Sequence, residues 1–163
     1  MAKKSWLEKL KESEAKAHAQ GLPRVEEITD KMSKRWGTGT LVIPTPMEVD
    51  KLMMKVPYGK LTTINAIREV LAQKHNATIA CPITTGIFAS IAAKAAEERR
   101  QQGETDFTPY WRTLKVGGEI NEKYPGGVEA QTQLLEKEGH QILRKGKKSI
   151  VANYEQCLAK ILA

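Results

Sequence analysis

Apolar and polar positions follow a helical period through most of this chain. Over residues 5–20 (SWLEKLKESEAKAHAQ), Trp6, Leu10 and Ala17 recur at helical spacing among Lys and Glu, with Ser5 placed to cap the start and Gly21 to end the run. A second short helix is expected from Pro23 through Val25, Ile28 and Met32 to about Arg35. Gly37, Gly39, Pro44 and Pro46 then interrupt the pattern around Leu41, Val42 and Ile43, which reads as a loop or short strand. From Thr45 the signals of a helix start converge: Thr45 as N-cap, Pro46 at the first helical position, Glu48 and Asp50 in the first turn, and Met47, Leu52, Met53 and Val56 as its apolar positions. The turn Pro57-Tyr58-Gly59-Lys60 ends it. Thr62 or Thr63 caps another helix carrying Ile64, Ile67, Val70 and Leu71 on one face, closed by His75-Asn76.

The longest predicted helix runs from Ile83 to about Arg100. At 100° per residue, Ile83, Ile87, Phe88, Ile91 and Ala95 form an apolar stripe expected to face the core. The other side carries Thr85, Gly86, Ala89, Ala93 and Ala96. Exposed helix faces normally fill with long polar side chains, so a face of small residues means that something approaches the backbone closely. Another helix and a nucleic-acid groove both fit. The short link to the preceding helix makes a helix-turn-helix-like pair, which favours nucleic acid. Downstream, Leu114 and Val116, then Gly117-Gly118, then Ile120 read as a two-residue β-hairpin, a candidate wing. Gly126-Gly127 precede a helix with Val128, Leu134 and Leu135 inward and Gly139 as its stop. Arg144, Lys145, Lys147 and Lys148 then form a basic linker before an amphipathic closing helix with Ile150, Tyr154, Leu158 and Ile161.

The fold class expected is mainly α: a winged helix-turn-helix unit at 45–143, with a helical extension at 1–44 and a basic linker and closing helix at 144–163. At 163 residues the chain is long enough for one core without disulfides or metal. Its formal net charge of +7 favours acidic partners. No apolar run is long enough for a membrane span, and the charged N-terminal segment lacks the apolar centre of a signal peptide. Two cysteines, Cys81 and Cys157, form no CxxC, and the histidines at 18, 75 and 140 show no ligand spacing, so no metal site and no cofactor are expected; a reducing cytoplasm fits that usage.

Three clusters carry candidate chemistry. The basic run Arg144–Lys148 would neutralise phosphates or serve as a solvated linker. Tyr110, Trp111, Arg112 and Tyr124 would supply stacking surfaces and a cation for an extruded base, or else belong to the core. Cys81 precedes the N-terminus of the long helix, where a dipole lowers a thiol pKa, yet no histidine stands near it in sequence, and a buried structural thiol is the plainer reading. His75 and His140 sit where helices stop, a favoured place for a cation. The glycine strings GTGT and GGEINEKYPGG lack a P-loop ending and read as turns.

Four segments in order, Val56 to Ile64 (VPYGKLTTI), Pro82 to Ala92, Pro109-Tyr110-Trp111-Arg112, and Tyr124-Pro125-Gly126-Gly127 through Glu138-Gly139-His140, resemble the C-terminal domain of the O6-alkylguanine-DNA alkyltransferases, and in particular their alkyltransferase-like branch without the acceptor cysteine. The resemblance covers about residues 45–143. It implies a protein that sets its second helix into the minor groove of double-stranded DNA and turns a base into a pocket, with a role in repair. It places Lys60, Thr62, Thr63, Thr84, Thr85, Gly86, Ala89, Ser90 and Ala93 at the DNA, and Tyr110, Trp111, Arg112, Tyr124 and Glu138 around the base. The family's Pro-Cys-His-Arg is here Pro109-Tyr110-Trp111-Arg112, so Tyr110 takes the acceptor's place and Trp111 that of the activating histidine. A phenol with no adjacent base cannot act as the thiolate does at neutral pH, so no alkyl transfer is expected. Glu138 matches the relay glutamate and is left as a structural acceptor. The family's intercalating arginine falls at Gly86 and its phosphate-rotating tyrosine at Ile64, and the segment 97–106 is a charged insertion. A contrasting expectation is the same fold used as a protein-interaction or small-ligand module, its small-residue face covered.

Overall fold

A computed structural model describes residues 5–162; the first four residues of the N-terminal extension and the last residue of the tail lie outside the described residues. A little under half of the chain is helical, and the strands are short and gathered in three small sheets. Helix α1 (Trp6–Ala19) begins with a capping box: Ser5 Oγ accepts from Glu8 N, and the Glu8 carboxylate accepts from Ser5 N. Thr45 and Glu48 make the same reciprocal pair at the start of α3 (Pro46–Met54), behind Pro46. Thr63 Oγ1 accepts from Ala66 N to start α4 (Ile64–Lys74). The longest helix, α5 (Pro82–Gln101), follows Cys81, and α6 (Gly127–Lys137) ends before Gly139, whose φ of +90° suits a residue without a Cβ.

The predicted helix at 23–35 is divided. Residues Arg24–Glu27 form β1, antiparallel to β2 (Thr40–Ile43), and only Asp30–Trp36 is helical (α2), capped by Thr29 rather than opened by Pro23. The pairing of Val25 with Val42 and of Glu26 with Leu41 supplies backbone partners that a helix start at Pro23 would have forgone. Strand β4 (Ile79–Ala80), between α4 and α5, lies parallel to β2 and completes this sheet.

Two further expectations change in the last third. Residues 114–120 do not pair as a hairpin. Strand β5 (Thr113–Leu114) lies parallel to β3 (Thr62–Thr63), Gly117 and Gly118 turn at positive φ, and Glu119 and Ile120 join the C-terminal segment instead, with Ile120 N donating to Ser149 O at 2.8 Å. The hairpin lies later, where β6 (Ile142–Lys145) pairs antiparallel with β7 (Lys148–Val151) around Gly146 at φ +62°. The predicted basic linker is therefore the tip of a β-hairpin. Among the described residues no closing helix forms: Asn153 takes φ +55° and Tyr154–Cys157 makes one 3₁₀ turn. The spacing of Ile150, Tyr154, Leu158 and Ile161 fits a helix, but pairing of Ile150 with Leu143 and Glu119 outweighs it.

Helix α5 lies at the centre, packed by α1 and α3, and its orientation departs from the prediction in part: Ala95 is buried and Phe88 packs against the core as expected, but Ile83 and Ile87 turn outward. Thr85, Ala89, Ala92, Ala93, Ala95 and Ala96 are the buried positions, while Ile83 and Ile87 are more than half exposed. The alanines at 89, 92, 93 and 96 follow i, i+3, i+4, i+7 and admit two helices carrying Leu10, Leu52 and Met53 into close approach. Of the two explanations for a small-residue face, helix packing holds. Ala93→Leu is accordingly expected to destabilise the fold by about 1–3 kcal/mol through overpacking, whereas Ile87→Ala stays within about 0.5 kcal/mol; urea unfolding of both variants measures the contrast.

Candidate nucleic-acid interface

The outward face of α5 borders a groove of about 570 Å³. Ile83, Gly86, Ile87, Ser90, Ile91 and Lys94 form one wall, and Lys115, Asn121, Glu122 and Lys123 the other, with Trp6 of α1 at one end. The far wall is held by β7, because Ile120 is bonded to Ser149 immediately before Asn121. Trp6 is fixed from two sides. Its amide donates to Glu98 Oε2 at 2.9 Å, so a carboxylate of α5 sits at the positive end of α1, and the ammonium groups of Lys9 and Lys94 lie 4.1 and 4.6 Å from its ring centroid. Lys115 reaches Glu122 at 3.4 Å.

The predicted DNA-facing residues separate accordingly. Gly86 and Ser90 line the groove and Lys60 is exposed. Thr85, Ala89, Ala93 and Thr62 are buried and cannot meet a ligand, which corrects the face assigned to them. Thr63 is engaged as the α4 cap, and Thr84 Oγ1 donates to Cys81 Sγ at 3.0 Å. Ile83, Ile87, Ile91, Lys94, Lys115, Asn121, Lys123 and Trp6 were missed. The spacing of the alanines was the available signal, because a seam at i, i+3, i+4, i+7 marks a packed helix face as well as leucines do.

The predicted base pocket comes together in space, but its own side chains fill it. Tyr110 is fully buried, and its ring stands edge-on to Trp111 and Tyr124 at centroid distances of 5.3 and 5.7 Å. Its hydroxyl donates to Glu97 Oε2 at 2.9 Å. Burial, then the Glu97 carboxylate, push the phenol well above its ordinary pKa of 10.0, so it stays protonated across the physiological range. Trp111 Nε1 donates to Glu138 Oε2 at 2.7 Å, Arg112 donates to both Glu138 oxygens from Nε and to Oε2 from Nη2, and Gly59 N adds a further bond to Oε1. Arg112 Nη1 also donates to Val56 O. Burial works to raise the Glu138 pKa, but the bonds from Arg112, Trp111 and Gly59 outweigh it and hold the carboxyl below its ordinary value. Gln131 Nε2 donates to Trp111 O from beneath.

No family model and no curated protein sequence matches the chain. Among solved structures, it is similar to S. pombe ATL in complex with DNA, with 18% identity and a TM-score of 0.52, over 71% of this chain and 94% of that one. This is an alkyltransferase-like fold. A second structure, of S. pombe Atl1 in complex with damaged DNA containing O6-carboxymethylguanine, is 19% identical with a TM-score of 0.48, again over 71% of this chain and 94% of that one. On the alkyltransferase-like fold of this chain, both cysteines are free, Cys81 buried and Cys157 half-buried. Among the described residues no group of His, Cys, Asp and Glu is placed to hold a metal ion, and no helix is long and apolar enough to cross a membrane.

Proposed function

We propose that this chain is a non-catalytic, alkyltransferase-like DNA-binding protein that lays the outward face of α5 in the minor groove of double-stranded DNA and takes part in recognising alkylated bases. The observation that carries the reading is the groove itself. It exposes one long helix near its N-terminus and sets three lysines against one glutamate, in a protein of net charge +7 whose fold is similar to one solved on DNA. In this reading α4 and α5 are the helix-turn-helix pair of a winged-helix unit that begins at 45 and extends past 143 to take in the β6–β7 hairpin, and α1 braces α5 from behind. The wing is the β6–β7 hairpin, whose exposed Arg144, Lys145, Lys147 and Lys148 reach phosphates beside the groove. The burial of Thr85, Ala89 and Ala93 beneath α1 and α3 is what the interaction-module reading expects of its covered face, so the DNA-binding reading rests on the opposite, exposed face of α5 and on the fold's similarity to one solved on DNA.

Alkyl transfer has no acceptor here. Tyr110 is a buried, protonated phenol, and Cys81 is enclosed as the α5 cap, accepting from Thr84. Because Tyr110 and Trp111 are buried and packed edge-on to one another, with Tyr110 also against Tyr124, they leave no room for a base between them, and an alkylated base is met at Ile87, Ser90, Asn121 and Lys123 in the groove.

The test is an anisotropy titration of a labelled duplex, with and without one O6-alkylguanine, at about 50 and about 200 mM salt. Binding is expected at the lower concentration and is expected to weaken at the higher. Neutralising Arg144, Lys145, Lys147 and Lys148 is expected to reduce the slope of log K against log salt by about 0.9 for each phosphate that no longer meets a cation. Absence of binding at low salt overturns the reading. Equal affinity for both duplexes overturns its alkylated-base part.

A further inference from the structure

A separate pocket of about 230 Å³ lies between α1, α3 and α5, on the face of α5 turned away from the groove. Its walls are apolar, with Leu7 and Leu10 from α1, Met47 and Met54 from α3, and Ala95 from α5. The three helices are tied to one another around it. Glu98 of α5 accepts from the amides of Trp6 and Leu7, and Glu14 of α1 accepts from Met47 N at 2.9 Å, so the walls are held by bonds that cross from helix to helix. The space equals about eight waters at ~30 Å³ each, which suits a ligand of about eight to ten non-hydrogen atoms.

Three charged side chains border these apolar walls: Asp50, Arg99 and Lys11. Asp50 Oδ1 accepts from Thr108 Oγ1 at 2.6 Å. Burial nevertheless outweighs that bond and the field of Arg99, and holds the Asp50 carboxyl above its ordinary value, as happens when a negative charge is incompletely compensated. Arg99 is half-buried, and its Nε is enclosed and donates to no acceptor. Lys11 stands exposed at the rim. The pocket thus sets an under-compensated carboxylate and an enclosed guanidinium donor without an acceptor around one apolar space, and each of these lowers its free energy when a ligand supplies the missing partner.

We propose that this pocket binds a small apolar α-amino acid as a zwitterion, with its ammonium group at Asp50, its carboxylate at Arg99 and Lys11, and its side chain against Leu10, Met47 and Met54. A plain carboxylate would answer Arg99 but bring a like charge toward Asp50. A plain amine would answer Asp50 and leave Arg99 as it is. The zwitterion answers both, and leucine and methionine fall within the size of the space. The pocket and the groove lie on opposite faces of α5, so this binding is independent of the DNA-binding reading.

Calorimetric titration of the full-length protein tests it with five probes: L-leucine, L-methionine, 4-methylpentanoate, which lacks the ammonium group, 3-methylbutylamine, which lacks the carboxylate, and glycine, which lacks the side chain. Leucine or methionine is expected to bind with a Kd of about 0.01–1 mM. The two half-ligands are expected to bind at least about tenfold more weakly, and glycine to give no saturable heat. Arg99→Gln keeps part of the apolar stem, and Asp50→Asn still accepts from Thr108. Both are expected to weaken leucine about tenfold or more, while Arg99→Gln leaves the amine unaffected and Asp50→Asn does not weaken 4-methylpentanoate. Wild type that binds neither amino acid overturns the proposal. So does 4-methylpentanoate binding as tightly as leucine, which makes the pocket a plain carboxylate site, or leucine affinity unchanged in both variants, which puts the binding elsewhere. Where a variant fails to fold, read by its urea midpoint, the five probes on the wild type decide the matter alone.

Discussion

Glu138→Ala is expected to lower folding stability by about 3–5 kcal/mol, read as a reduced urea midpoint with little change in slope. The carboxylate, at the end of α6, gathers donors from two other parts of the chain: Gly59 in the turn after α3, and Trp111 and Arg112 in the segment after α5. The side chains of Arg112 and Glu138 are 12% and 4% exposed, so removing the acid leaves the indole N–H without a partner and the guanidinium with Val56 O but no counter-charge, in a place water hardly reaches. Glu138→Gln keeps an acceptor for Trp111 but loses the charge that Arg112 faces, and falls between the two.

The same site makes stability depend on pH. The Glu138 pKa is below 4.5 in the folded chain and returns to its ordinary value on unfolding, so the unfolded state binds the proton more readily. Its contribution is fully present above about 4.5 and is lost as pH falls through the folded value. The wild type therefore loses more stability between neutral and acid pH than Glu138→Gln does, and the two urea midpoints converge in acid. Midpoints that keep a constant separation would show that the carboxylate is not held as described.

Tyr110→Ala is the second large effect, at about 3–5 kcal/mol, because the residue is a fully buried aromatic against two other rings. Its hydroxyl is also the donor to Glu97, which then keeps only partners near the surface, Arg100 among them. Tyr110→Cys, which puts the family's acceptor residue at this position, is expected to carry a similar penalty and to remain unalkylated when incubated with O6-alkylguanine duplex. The indole of Trp111 offers no base, and the site is buried. Intact-mass measurement after incubation reads the second point, and a shift of one alkyl group would refute it.

Helix starts were legible along most of the chain because they are local chemistry. Ser5, Thr45 and Thr63 each satisfy amides within their own first turn, so the sequence around them contains the whole explanation. Strand partners are not local. Residues 148–151 have apolar spacing compatible with a helix, and only the presence of Leu143 and Glu119 alongside makes them a strand. Gly117-Gly118 was legible as a turn, but which strands its arms would join was not, since Thr62–Thr63 and Ser149 supply better partners than the arms offer each other. Tyr110, Trp111, Arg112, Tyr124 and Glu138 were found as a group, and Glu138 as an acceptor. That the aromatic rings would occupy the pocket rather than line it depends on how their volumes fit, which order along a chain does not record.

The alanine seam of α5 does more than shorten the distance to α1 and α3. A cylinder lodged in a slot cut to methyl groups cannot turn about its own axis, because a rotation of one residue would drive a branched side chain into space sized for Cβ. The small residues act as a key in a keyway, and what they fix is the azimuth of the helix. The direction in which Ile83 and Ile87 point is thus set from the opposite side of the molecule, by residues that never meet the solvent.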